Sequence, residues 1–171
     1  TGQIGTFSLV PQIVELADGL PVLAAGGVAT GRHVAASLML GAVGVWIGTA
    51  WLTTKEHEDH MSKLNQQKLL QAGAEDTVIS RADSGKTLRQ IRSAWSMEWS
   101  AQDAPAPLKM PYQDILVGDL LGAIDEHEVE PLVHSAAGQG IGWFNEVSSV
   151  EHVMQGIVKE AIDTLAKGQG V

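Results

Sequence analysis

Residues 21–49 read PVLAAGGVATGRHVAASLMLGAVGVWIGT, in which a helical pattern separates two short apolar runs. The first run, 21–25, ends in a glycine pair, and the second, 44–48, is followed by a threonine. Unbroken apolar runs of this length are typical of parallel strands that are buried on both faces. Thr30 lies where the N-cap of the intervening helix is expected, and Gly41 lies where its C′ glycine is expected. This order predicts a right-handed crossover between two parallel strands.

The flanking sequence extends this unit at its N-terminal side. Apolar residues recur at helical spacing over 7–17, and the helix inside the crossover is expected over 31–40. Two parallel strands alone cannot form a stable sheet, because their outer edges stay unpaired. The chain also begins at Thr1 without an initiator methionine. We therefore expect the strands that pair with these two to lie in sequence outside these residues.

The second part of the chain is predicted to be mainly helical. We expect a polar helix over 56–72, β-leaning residues at 77–79 and a basic helical stretch around Lys86, Arg89 and Arg92. An extended linker is expected over 104–111, followed by a helix over 115–125. A capping box of Ser148 and Glu151 predicts the start of a last helix, which continues to about residue 167. The prediction is an α/β chain with two parts, residues 1–56 with the strands and residues 57–171 as a helical cap and extension.

Composition excludes several classes of function. The 171 residues carry a formal net charge of −9, which disfavours nucleic acid and anionic membrane surfaces as partners. Without cysteine there is no disulfide framework and no thiolate site, and a cytoplasmic location is expected. Residues 34–54 are uncharged and long enough to span a bilayer, but glycines interrupt them, so a helix followed by a buried strand is the preferred interpretation.

Glycines follow both predicted strands at the same edge of the sheet. Gly26 and Gly27 follow the first strand, and Gly48 and Thr49 end the second. Without a Cβ, a glycine lets an oxyanion approach the backbone N–H groups closely, and the threonine hydroxyl adds a donor. The loops after the seventh and eighth strands of a (β/α)8 barrel commonly form a phosphate site. The alternative is that these are packing and turn glycines.

The sequence resembles the nitronate monooxygenases, also called 2-nitropropane dioxygenases. The resemblance rests on Thr1-Gly2, Leu9-Val10-Pro11, 21–27, Gly31-Arg32, 40–42, 44–49 and Thr54-Lys55-Glu56. It is close over residues 1 to about 60 and weaker through Leu88-Arg89 and 135–140. The glycine pair and the Gly-Thr are shared by several phosphate-binding barrels, whereas the opening Thr-Gly and the Leu-Val-Pro helix favour this family.

The resemblance implies a fold, a cofactor and a reaction. The fold would be the C-terminal portion of a (β/α)8 TIM barrel with a helical C-terminal extension. Gly26, Gly27, Gly48 and Thr49 would hold the phosphate of FMN, and the family's catalytic histidine would lie just before Thr1. The reaction would be the oxidation of alkyl nitronates by dioxygen, and the missing N-terminal part of the barrel would be a partner. The alternatives are an FMN-dependent enoyl reductase of the same barrel family and a non-catalytic phosphate-binding fragment.

Other motifs are weaker. The pair His57 and His60 has the wrong spacing for a zinc protease and is interpreted as a solvated helix start. Residues 84–87 imitate the end of a P-loop, but no glycine or apolar strand precedes them. Residues 138–143 carry Trp143 where a dinucleotide loop needs its third glycine. The resemblance implies that this segment approaches the flavin, and the alternative is a plain glycine-rich loop. His134 is interpreted as a surface or hydrogen-bonded histidine and not as a ligand.

Overall fold

The computed structural model describes residues 2–168 and has an α/β fold. Its first part alternates helices and strands: α1 (Thr6–Leu16), β1 (Leu23–Ala25), α2 (Gly31–Met39) and β2 (Gly44–Trp46). The two strands pair in parallel, with Leu23 opposite Gly44 and Ala25 opposite Trp46. The predicted crossover is therefore confirmed, and both strands end at one edge of the sheet.

Short-range signals explain why this unit forms. The Thr30 hydroxyl accepts a hydrogen bond from the His33 N–H at 3.3 Å, as an N-cap residue does. At the other end of α2, Gly41 has a φ of +94°, the left-handed conformation that a C′ glycine supplies. Val10 of α1 packs with Ala24 of β1 and with Ala42 in one small core. This core attaches α1 to the sheet.

The second part contains more β structure than the sequence predicts. It comprises α3 (Lys63–Gln71), β3 (Thr77–Ser80), β4 (Leu88–Ile91), α4 (Ala94–Glu98), α5 (Tyr112–Glu126) and α6 (Val150–Gly168). Short 3-10 helices occupy Thr49–Trp51, Lys55–His60, Ala74–Asp76 and Gln139–Trp143. The linker over 104–111 contains no helix or strand, as expected, and the predicted strand at 77–79 and helix over 115–125 are confirmed.

The predicted basic helix around Lys86, Arg89 and Arg92 is wrong. The segment forms β4, which pairs antiparallel with β3. The Arg89 guanidinium donates to the Thr77 hydroxyl at 3.0 Å, and Arg92 donates to the carbonyl of Glu75 at 3.0 Å. These partners lie more than ten residues away along the chain, so local helical preference is overridden by pairing at a distance.

Two helix boundaries also differ from the prediction. The helix expected over 56–72 is divided, because Ser62 interrupts it and caps α3 with its hydroxyl, which accepts from the Asn65 N–H at 3.2 Å. The same hydroxyl donates to Asp125 of α5 at 2.8 Å. At α6 the cap is Ser149 and not Ser148, since the Ser149 hydroxyl accepts from the His152 N–H at 3.1 Å.

The last helix closes the structure over the first part. Helix α6 lies against α2, and a Cβ at Gly31 would overlap the α6 backbone at Ile157 and Ala161. The Glu160 carboxylate accepts a hydrogen bond from the Gly31 N–H at 2.7 Å. The glycine at position 31 therefore permits a close helix contact that no other residue allows.

Large apolar side chains remain exposed on the first part of the chain. The most exposed are Phe7, Leu16, Leu20, Met39 and Trp46, each at 70% or more of its full exposure. Exposed apolar surface of this extent on strands and helices marks a face that another element can cover. Within residues 2–168, none of the helices combines the length and the apolar character that crossing a bilayer requires.

Candidate functional site

The four predicted site residues lie at neighbouring strand ends. Ala25 and Trp46 are partners in the parallel ladder, so the Gly26-Gly27 pair and Gly48 follow adjacent strands at the same edge. Gly26 has a φ of +96° and Gly27 a φ of +75°, two consecutive left-handed residues that only glycine adopts without strain. The turn itself therefore requires the glycine pair. Gly48 has a φ of −114°, which any residue adopts, so its backbone conformation does not explain the glycine.

The backbone at this edge has donors without partners. Among the residues described, the amide N–H groups of Gly27, Gly48 and Thr49 have no hydrogen-bond acceptor. A Cβ built on Gly27 or Gly48 would meet nothing within 4 Å, so there is open space beside both glycines. Unpartnered backbone N–H groups beside open space form a site that an oxyanion fits. The arrangement suits a phosphate group. A side chain at position 27 or 48 would occupy part of the same space.

The start of α1 lies at the same edge. The Thr6 hydroxyl donates to the carbonyl of Gly26 at 2.7 Å. A Cβ at Gly26 would lie 3.4 Å from this hydroxyl. The segment that enters α1 therefore approaches the glycine turn, and residues at the N-terminal end of this helix are near the open space.

The glycine-rich loop of the C-terminal part contacts both strand ends. The Gly138 N–H donates to the Thr49 hydroxyl at 2.9 Å, which leaves the hydroxyl proton of Thr49 available for another acceptor. A Cβ at Gly140 would lie 2.7 Å from the Cβ of Ala29, so this close approach requires glycine. The resemblance implies that this glycine-rich loop approaches the flavin. In the structure the loop contacts Thr49 and the loop after β1.

Sequence reasoning missed the residues that hold the start of α2. The Nδ1 atom of His33 accepts hydrogen bonds from the amides of Ala29 at 3.2 Å and Thr30 at 3.3 Å. Position 33 is N3 of the helix, where a capping box has glutamate or glutamine. The sequence signal was present, but histidine is not part of the usual pattern.

A second group of side chains surrounds the same helix end. The Arg32 Nε atom pairs with Glu160 at 2.9 Å, and the Arg32 guanidinium lies 5.2 Å from the ring centre of Trp143. The His33 ring meets the Trp143 ring edge-on at 6.5 Å. Helix α6 and the loop before it therefore both contribute to the environment of the first turn of α2.

His134 is a satisfied histidine, as the sequence interpretation favoured. Its Nδ1 lies 2.8 Å from the carbonyl of Leu132, and its Nε2 lies 3.1 Å from Asp83. The ring stacks on Trp95, whose indole N–H also donates to Asp83. Burial lowers the pKa of His134, but the hydrogen bonds to Asp83 and Leu132 and the charge of Asp83 outweigh it and raise the pKa above its ordinary value.

The remaining motifs have no ligand geometry. His57 and His60 lie in a short 3-10 helix that contributes no buried residue. No cluster of three or more histidine, cysteine, aspartate or glutamate side chains within residues 2–168 could hold a metal ion. Residues 84–87 form a turn between β3 and β4, in which Gly85 has a φ of +80°. The resemblance to a P-loop is therefore limited to the letters of the sequence.

Comparison with known proteins identifies relatives along nearly the whole chain. The family model described as nitronate monooxygenase matches residues 1–160. The putative monooxygenase Rv1533 of Mycobacterium tuberculosis is 42% identical over 177 aligned positions, which cover all of this chain and 47% of that protein. A probable nitronate monooxygenase of Staphylococcus aureus (strain Newman) is 39% identical over 136 residues, which cover 80% of this chain and 37% of that protein. The chain therefore spans less than half the length of these curated relatives.

Two solved structures have the same arrangement of elements. FabK from Thermotoga maritima matches with a TM-score of 0.80 at 30% identity, covering 99% of this chain and 52% of that one. A nitroalkane oxidase from Streptomyces ansochromogenes matches with a TM-score of 0.83 at 27% identity, covering 96% of this chain and 45% of that one. The fold described above is thus similar to about half of each of these proteins.

Proposed function

Because the chain belongs to the nitronate monooxygenase family, we propose that it forms the FMN phosphate-binding part of an enzyme that oxidises alkyl nitronates with dioxygen. The observation that supports this most directly is the set of free amides at the two strand ends. Gly27, Gly48 and Thr49 present N–H groups without acceptors to one open edge of the parallel sheet. A phosphate monoester provides several strong acceptor oxygens for such donors.

Each site residue then has a defined role. The left-handed turn at Gly26 and Gly27 directs backbone toward the phosphate, and Gly48 lets the phosphate approach without steric hindrance. Thr49 adds its hydroxyl proton while Gly138 holds its oxygen in place. When bound, FMN would supply the electron transfer between nitronate and dioxygen. The task of these residues is to fix the cofactor's phosphate at this edge.

The exposed apolar surface of the first part supports a larger assembly. We propose that the remaining strands of a (β/α)8 barrel pack against the outer edges of β1 and β2 and against the exposed side of α1. Relatives about twice as long as this chain agree with that proposal. The catalytic histidine expected before Thr1 would then be near the cofactor, because the hydrogen bond from Thr6 to Gly26 brings the start of α1 to the phosphate edge.

An FMN-dependent enoyl reductase of the same barrel family is the second candidate. The structural similarity to FabK is about as close as that to the nitroalkane oxidase, which is why this candidate is retained. The phosphate-binding site would be the same in both enzymes, so the residues described above do not distinguish the two candidate functions. The difference would lie in the substrate and in the use of a nicotinamide donor.

One experiment tests both candidates. This chain is co-expressed with the part of the mycobacterial relative that it does not match, and the complex, termed here the reconstituted protein, is purified. We expect it to carry FMN, identified by its absorbance spectrum, and to consume dioxygen with propionate 3-nitronate. Oxidation of NADH with an enoyl thioester and no nitronate turnover would instead establish the second candidate. A colourless complex that fails to take up added FMN would contradict the flavin proposal as a whole.

A further inference from the structure

His33 holds two amides of the loop that leads away from the proposed phosphate site. The loop of residues 26–30 connects β1 to α2, and its Gly27 N–H has no hydrogen-bond acceptor among the residues described. Val28 follows, and the amides of Ala29 and Thr30 after it both donate to His33 Nδ1. The helix-side end of the loop, which begins two residues after Gly27, is therefore fixed by His33.

Nδ1 of His33 is a hydrogen-bond acceptor for the loop. It accepts from the amides of Ala29 and Thr30, and the Thr30 hydroxyl also lies 3.2 Å from it. Ala29 and Thr30 are only 2% and 7% exposed. Loss of this acceptor would therefore leave two buried amides without their partner, which is unfavourable.

Charged and titratable groups approach this helix end from each neighbouring element. Arg32 is next to His33 on α2 and pairs with Glu160 of α6. His152 of α6 and Glu146 of the preceding loop line a cavity of about 220 Å³ that Thr30 and Glu160 also line. The local positive charge of Arg32 is balanced by Glu160, whose second oxygen is held by the Gly31 amide. The hydrogen-bond partners of His33 Nδ1 are the loop amides and not these charged groups.

We propose that His33 is a positioning residue for the FMN phosphate: its Nδ1 holds the loop after β1 in the conformation that places Gly27 at the phosphate site. The inference rests on the proposed function, since it assigns the loop to FMN. It adds a residue that does not touch the phosphate and acts through Ala29 and Thr30.

Two substitutions separate this role from a general effect on folding. In His33→Gln the side-chain amide oxygen can accept from the N-cap backbone, as in an ordinary capping box. In His33→Ala the acceptor is lost. The affinity for FMN is measured by flavin fluorescence quenching in the reconstituted protein. Substitution of the exposed His127 by glutamine is the matched control.

We expect His33→Ala to bind FMN about tenfold more weakly than the wild type, the effect of one lost hydrogen-bond acceptor. His33→Gln should bind like the wild type, because it restores an acceptor at the same place. This rescue distinguishes loss of the acceptor from a general effect of substitution at position 33.

A second measurement uses the 171-residue chain alone. By NMR, the amides of Ala29 and Thr30 should exchange slowly with solvent and should lose this protection in His33→Ala but keep it in His33→Gln. Equal protection in the wild type and His33→Ala would overturn the inference. If His33→Ala binds FMN as tightly as the wild type, the inference fails while the flavin proposal stands. If the wild-type reconstituted protein does not bind FMN, both fail.

Discussion

Substitution of Gly48 by valine should prevent FMN retention and leave the fold intact. The φ of −114° at this position suits any residue, and a Cβ would meet nothing within 4 Å, so the substitution introduces no clash within the chain. The branched side chain would instead occupy the space that the phosphate needs. Three amides, those of Gly27, Gly48 and Thr49, have their acceptor in that space if the proposal is correct.

The magnitude follows from the number of donors. A hydrogen bond to a charged group contributes about 1.5–3 kcal/mol, and loss of a single one lowers affinity by roughly ten- to a hundredfold. A phosphate displaced by the valine loses more than one of the three, so FMN should not survive purification of the reconstituted protein. Glycine loses more backbone entropy on folding than valine does, so the thermal stability of the chain should not fall.

The assay is the fluorescence of FMN released from the reconstituted protein on denaturation, together with the thermal unfolding of each variant. Gly118→Val in α5 is the matched control, because a Cβ at Gly118 also meets nothing within 4 Å. The control should retain FMN in full. Full flavin occupancy in Gly48→Val would refute the reasoning and would show that Gly48 is only a packing glycine.

Three further predictions concern the chain itself. Expressed alone, residues 1–171 should bind FMN weakly or not at all and should not oxidise nitronate, because the catalytic histidine and the other walls of the flavin site are expected outside them. Turnover by the mass-verified isolated chain would mean that one of its own histidines is the base. Gly31→Ala should lower the free energy of unfolding in urea by about 1–3 kcal/mol, since the added Cβ would overlap α6. Gly48→Ala is the control and should not lower it. Equal stabilities of the two variants would contradict the close contact between Gly31 and α6. Because the pKa of His134 is raised in the folded chain, its charged hydrogen bond to Asp83 contributes fully at low pH and is lost as the pH rises through the folded pKa. Unfolding at a series of pH values should show the free energy of unfolding falling across that range, and Asp83→Asn should abolish this dependence. An unchanged dependence in that variant would exclude the pair as its cause.

Local signals were sufficient to predict the first part of the fold. The apolar runs, the Thr30 cap and the glycine at position 41 each act within a few residues, and the structure has β1, α2 and β2 where they predict them. The adjacency of Gly26-Gly27 and Gly48-Thr49 followed from the same reasoning, because neighbouring parallel strands end at one edge. Whether these four residues bind FMN stays a prediction.

Two segments that the sequence predicted wrongly depend on contacts farther along the chain. Segment 88–91 is a strand because β3 pairs with it, although its arginines favour a helix in isolation. Ser62 divides the expected helix because its hydroxyl is shared between the α3 cap and Asp125, more than sixty residues away. Local propensities differ by less than 1 kcal/mol for most residues, so a few such contacts decide between helix and strand.

The residues around the start of α2 show most clearly which features local sequence determines and which depend on long-range contacts. The sequence alone determined that a helix begins after Thr30 and that a glycine turn precedes it. Only the tertiary structure decided that Glu160, from the last helix, holds the Gly31 amide and that Gly138 holds the Thr49 hydroxyl. A hydrogen bond needs its two atoms within about 3 Å of each other. For residues about 90 to 130 positions apart, that distance is set by the packing of α6 and the glycine-rich loop on the first part of the chain.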